Sequence, residues 1–241
     1  MMKNKKTLKY ITFFWLAMLI FSIMNIFVLS ALNRAIESER NVLEDKVEMI
    51  SLGYILTKKS DYLTAEARNF AVTANPKHLM NYWDEVLVRK NRDYVVNRLE
   101  QLSANKTEIA LIEQSKRNSD ALILSEMRSM KLVLDAYAVP EKLAPKPIQK
   151  YILPEYEKKL SANDKMLLAQ HILFDQKYYD DKQLIMKPAE AFKERLKIRK
   201  NKELQDQKQL VDQYTRFLFI SLSCLAVCIF GIIWLRILYL K

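Results

Sequence analysis

Glycine is almost missing, with two residues in 241. Sheets, tight hairpins and phosphate-cradling loops all lean on glycine, so its scarcity points to an all-α chain. No G-x-G-x-x-G or Walker pattern can be drawn through it. Histidine is as scarce, with His78 and His171 alone. Neither has a second His or Cys at ligand spacing, so no metal site is expected. H-E-x-x-H and G-x-S-x-G do not occur. Carboxylate pairs such as Asp84-Glu85 and Asp180-Asp181 are helix neighbours that point to different faces. No catalytic residue and no cofactor is therefore expected, and the chain reads as a non-enzyme. Cys224 and Cys228 both lie in an apolar run, four residues apart on one helix face. They cannot form the disulfide framework of a small secreted domain, and read as packing residues.

What is present in quantity is apolar sequence. No charged residue occurs from Tyr10 to Asn33, 24 positions, or from Phe217 to Leu235, 19 positions. A spanning helix needs about 20 apolar residues, so both runs qualify. The first, after a lysine-rich start, could also be read as a cleaved signal peptide ending near Ser30-Ala31. It is longer than the usual apolar core of such a peptide and continues into an amphipathic helix, which favours an uncleaved anchor. Lys3, Lys5, Lys6 and Lys9 precede the first run, and Arg236 and Lys241 follow the second. The positive-inside rule then puts both termini in the cytoplasm and residues 34–216 outside. The expected layout is a cytoplasmic 1–9, spans at 10–33 and 217–238, an extracytoplasmic 34–216 and a short end at 239–241.

The net charge of +11 changes meaning on that layout. Six basic residues belong to the two cytoplasmic ends. The outer region keeps 33 basic and 28 acidic residues, a mild excess that gives no reason to expect nucleic acid. The basic run from Lys193 to Lys200 reads as a solvated helix face rather than an anion site.

The outer region reads as a series of helices. Leu43, Val47, Ile50 and Tyr54 step by 4, 3 and 4, as do Leu63, Ala67, Phe70 and Ala74, and both sets predict a seam on one helix over 34–74. Its 41 residues would extend about 60 Å. Asn75-Pro76 breaks it. A second helix from Lys77 carries Leu79, Trp83, Val86, Leu87, Tyr94, Leu99 and Leu102, ending in a bend at Ser103-Ala104-Asn105. Asn105 or Thr107 caps a third helix, whose seam is Ile109, Ile112, Ser119, Ile123, Met127, Met130 and Leu134. Four of the six prolines fall between Pro140 and Pro154 and predict an irregular connection. Helix resumes near Glu155 and over Ala162–Phe174. A last helix, capped by Asp180 or Asp181, is expected from about Lys182, with Pro188 in its first turns. Packing such helices antiparallel, like a four-helix bundle, buries every stripe.

Three blocks carry a resemblance. They are LTAEARNFAVTANPKHLMNYWDEV at 63–86, continued by Asn91-Arg92-Asp93 and Arg98-Leu99; EIALIEQSKRNSDALILSEMRSM at 108–130; and YDDKQLIMKPAEAF at 179–192. In this order, between two spans, they resemble the extracytoplasmic helical sensor region of bacterial methyl-accepting chemotaxis receptors. Similar regions front histidine kinases and diguanylate cyclases. The bend departs from the pattern, since Ala74-Asn75-Pro76 stands where glycine is frequent. The chain also ends before any HAMP linker or signalling module. The resemblance implies a homodimer in the bacterial inner membrane, relaying an unknown small-molecule or protein signal through the second span to a cytoplasmic effector or partner protein. The residues leave another reading open, a stand-alone membrane-anchored scaffold. Arg68, Tyr82, Trp83, Asp84 and Arg92 mix aromatic and charged groups near the bend and are the candidate ligand contacts. The alternative is that Tyr82 and Trp83 are core anchors and Arg68 joins an interhelical ion pair.

Overall fold

Residues 2–102 and 104–240 are described by a computed structural model, with side chains from Leu8 to Ile237. The side chains of Lys3, Lys5 and Lys6, the whole of Lys241, and Ser103 of the expected second bend lie outside the described residues. Among the described residues every regular element is helical, as the lack of glycine predicts. In chain order these are α1 (Met2–Thr73), α2 (Pro76–Asp84), a π-helical stretch (Glu85–Arg89), α3 (Asn91–Gln101) and α4 (Lys106–Ala136). A 3₁₀ turn (Glu141–Leu143), α5 (Lys146–Lys150), α6 (Glu155–Lys158), α7 (Ala162–Phe174) and α8 (Gln176–Leu240) follow.

The chain divides into two compact units, Met1–Asp45 with Arg199–Lys241, and Lys46–Ile198. The first consists of the N-terminal part of α1 beside the C-terminal part of α8. Among the described residues two helices are long and apolar enough to cross a membrane. Phe13, Ile26, Phe27, Phe219, Phe230 and Trp234 are exposed along them, as a lipid-facing surface requires. Small and polar residues mark where they touch. A Cβ on Gly231 would come within 2.9 Å of the Phe14 ring. Ser221 Oγ donates to Asn25 Oδ1 at 2.5 Å. Close backbone approach and side-chain hydrogen bonding are the means by which helices associate in lipid. Cys228 is buried in this unit. Lys200, at the end of the basic run, is also buried, paired with Asp45 at 3.5 Å and Glu203 at 3.0 Å.

The second unit holds two apolar clusters. One joins Leu63, Ala67 and Phe70 of α1 to Leu79, Tyr82 and Trp83 of α2, Met130 and Val133 of α4, Leu173 of α7, and Tyr178 and Ile185 of α8. The other joins Met49, Leu52 and Leu56 to Val95 and Leu99 of α3, Ile112 of α4, and Phe192 and Leu196 of α8. No one of these helices buries its stripe alone; each does so against the others.

Several local expectations meet a different outcome. Leu43, Val47 and Tyr54 are exposed, while Met49, Leu52 and Leu56 are buried. The spacing marks an apolar stripe truly, but the partners within the chain take the neighbouring face. The second helix is not continuous. Glu85 is buried beneath Lys59 (3.1 Å) and Asn91 (3.0 Å), the backbone widens into π-helix, and Lys90 closes it in the left-handed region at φ 49°. Leu87 and Tyr94, which straddle this break, are exposed. The cap of α8 is neither Asp180 nor Asp181. Asp175 accepts from the Tyr178 amide at 2.7 Å, so α8 begins at Gln176 and Pro188 sits in its interior.

Candidate functional site

The buried face of α4 takes in Ile112, Ser119, Met130 and Leu134 of the expected seam, together with polar residues outside it. Ile112, Ser115, Ser119, Leu122, Glu126, Ser129 and Val133 are all buried, at steps of 3 and 4. Asn105 starts this helix with a capping box, accepting from Thr107 N while Glu108 reaches back to the Asn105 amide at 3.2 Å. Each polar residue on the stripe bonds a different segment. Ser115 Oγ donates to the Ile185 carbonyl of α8 at 2.7 Å. Ser119 Oγ accepts from Arg92 Nη1 of α3 at 2.7 Å. Ser129 Oγ donates to the Ala169 carbonyl of α7 at 2.7 Å.

Glu126 is the centre. Its two carboxylate oxygens accept from Tyr82 of α2 at 2.5 Å and Tyr178 of α8 at 2.6 Å. The Tyr178 hydroxyl also lies 3.2 Å from Thr64 Oγ1 of α1. Lys182 Nζ donates to Thr64 (3.0 Å) and Ser60 (3.2 Å) and pairs with Asp61 at 2.9 Å. Burial raises the Glu126 carboxyl above its ordinary range, opposed by the two tyrosine hydroxyls and by the charges of Lys182 and Arg92. Tyr82 and Tyr178 are pushed up, first by burial and then by the Glu126 charge. In a low-dielectric interior such a network is strong when every member is satisfied, and costly when one partner is lost.

The five candidate contacts do not converge on one pocket. Tyr82 belongs to the Glu126 layer, and Trp83 stacks edge-on against it at 5.2 Å with its indole N–H unpartnered. Asp84 faces outward and pairs with Arg89 at 2.6 Å. Arg92 is buried, paired with Asp120 at 3.1 Å as well as Ser119. Arg68 makes no ion pair among the described residues. Its Nε donates to the Leu173 carbonyl at 2.9 Å, and its guanidinium lies over the rings of Phe174 (4.7 Å) and Tyr178 (5.2 Å). It thereby caps the C-terminus of α7, while Gln170 of α7 donates to the Ala71 carbonyl at the end of α1 at 3.2 Å. Cationic donors suit such orphan carbonyls. Arg68 also lines an open groove of about 510 Å³ with Asp61, Thr64, Asn69, Phe174, Tyr179 and Lys182.

Glu126, Tyr178, Thr64 and Lys182 escaped the sequence reading. A 3–4 stripe counted with serine and glutamate included marks Glu126. His78 Nδ1 sits 2.8 Å from Glu66 Oε2, joining α2 to α1. Among the described residues no cluster of His, Cys, Asp or Glu could hold a metal ion. No protein-family model, no curated protein and no solved structure matches the chain.

Proposed function

We propose that the protein is a membrane-anchored sensor of a bacterial signal-transduction system, of chemoreceptor type. Both termini are cytoplasmic, residues 34–216 lie outside the inner membrane, and the second span relays the signal. The observation that carries this reading is the Glu126 layer. It ties α1 and α8, the two helices that also contain the apolar runs, to α2 and α4 through buried hydrogen bonds. An arrangement of this kind has discrete alternatives rather than continuous ones, because an unpaired buried carboxylate is costly. A signal can shift such an equilibrium only through unequal affinity for its states. Exposed Val47 and Tyr54, at helical spacing on α1, support pairing with a second copy.

The test joins the full chain, after Lys241, to the kinase half of a receptor with a transcriptional readout. Glu126→Ala is expected to move the output to a fixed level. Output that is unchanged in a stably inserted Glu126→Ala protein would count against the relay.

A further inference from the structure

Phe70 of α1, Leu79 of α2, and Val133 and Leu134 of α4 are core residues, yet they border a cavity of about 250 Å³. Protein interiors leave few voids larger than a water molecule. The rim is formed by Met80, Tyr137 and Leu143, all largely exposed. Tyr137 is the one lining residue with a side-chain hydroxyl, and none is charged. The chain does not close over this space. α1 stops at Thr73, just before Ala74, and α4 ends shortly before Ala138, and both alanines are in the left-handed region, at φ 54° and 49°. These turns carry the backbone around the cavity, which Ala74 and Val139 help to line. Left-handed alanine is unfavourable, and strain of this sort gathers at ligand clamps.

We propose that this cavity binds a small uncharged aromatic molecule of one or two rings. An apolar cavity of about 150 Å³ admits benzene, so the larger volume suits a substituted or fused ring. The rings of Phe70 and Tyr137 and the Met80 thioether offer the edge and sulfur contacts that aromatic ligands favour. A carboxylate would lose its hydration here and find no donor but the Tyr137 hydroxyl. A helix of a partner protein is too wide, at about 10 Å, for the space. The assignment names a ligand class for the sensor proposed above, but it is tested on the isolated chain, where no output is needed.

The experiment uses the full chain in lipid nanodiscs, with toluene and indole as probes and benzoate as the charged control. Toluene and indole are expected to bind saturably and raise the unfolding midpoint, and benzoate to do neither. Leu143→Trp, at the exposed rim, is expected to fill the cavity and weaken both probes by about tenfold or more, as loss of a well-buried contact does. Met80→Trp serves if that variant fails to fold. Failure of both probes to bind, equal binding of benzoate, or full binding to a folded filling variant overturns the assignment. So does a phospholipid chain that must be removed before toluene enters.

Discussion

Asn118 Nδ2 donates to the Leu184 carbonyl at 2.7 Å. Leu184 stands four residues before Pro188, which has no amide hydrogen to give it. A side chain of α4 thus supplies the bond that the proline removes from α8, and Ser115 of α4 donates to the neighbouring Ile185 carbonyl at 2.7 Å. Asn118→Ala is expected to cost about 1 kcal/mol of stability. In a Pro188→Ala background the helix regains its own donor, and the cost should fall by about 0.5 kcal/mol or more. Thermal melts of the four proteins check this. Equal costs in both backgrounds would show that the two residues are not linked.

Tyr82→Phe and Tyr178→Phe each remove a hydrogen bond to the buried Glu126, and each is expected to cost about 1.5–3 kcal/mol. The pH dependence has a definite sign. Burial raises the Glu126 carboxyl in the folded state. Its contribution to stability is fully present below the unfolded carboxyl's pKa and is lost as pH rises through the raised folded value. Glu126→Gln imitates the protonated form at every pH. Wild type and Glu126→Gln should therefore have similar melting midpoints in acid, and the wild type should fall below the variant as pH rises towards neutral. A wild type that instead rises above Glu126→Gln with pH would mean that the ionised carboxylate is the favoured form.

With so few glycines, the chain places Ala74, Lys90 and Ala138 in the left-handed region. That conformation costs an L-residue about 1–2 kcal/mol, and glycine gives back about 0.4–1 kcal/mol of this through greater unfolded-state freedom. Ala74→Gly and Ala138→Gly are each expected to stabilise by about 0.5–1 kcal/mol, read as a higher unfolding midpoint. A lower midpoint would show that the alanine methyl contributes more by packing than its backbone loses.

Arg128 holds the proline-rich connection in place. Its guanidinium bonds the carboxylate of Glu157, whose side chain is fully buried, and Tyr156 joins them at 3.2 Å. Removing one member of a buried pair costs about 3–5 kcal/mol; Arg128 is partly exposed, which favours the lower figure. Arg128→Ala should destabilise by about 3 kcal/mol and speed proteolysis between residues 137 and 161. Arg128→Ala with Glu157→Gln should recover part of the loss. No recovery would place the effect in lost packing.

The helices, the Asn75-Pro76 bend, the Asn105 cap and the two apolar runs were legible in the sequence, because each rests on local chemistry. The π-helical stretch at Glu85–Arg89 was not, since it depends on Lys59, 26 residues away, reaching Glu85. The expected seam of α4 meets the buried face at Ile112, Met130, Leu134 and Ser119, and it passes over Ser115, Glu126 and Ser129, which like Ser119 are polar. They are buried only because Ile185, Arg92, Tyr82, Tyr178 and Ala169 supply partners from other helices. The residue types of Tyr82 and Arg92 suggest ligand contacts, and the fold gives both to buried partners. The cavity beside Ala74 has no sequence signature, since its lining is indistinguishable from core.

The most direct measurement of the central claim compares two fusions to the same kinase reporter in bacterial cells. One carries the full chain, and the other has residues 46–198 replaced by an unrelated helical unit of equal length. The sensor account predicts that output from the first changes with the composition of the growth medium, while output from the second stays constant. The same medium-dependent change in both would contradict it.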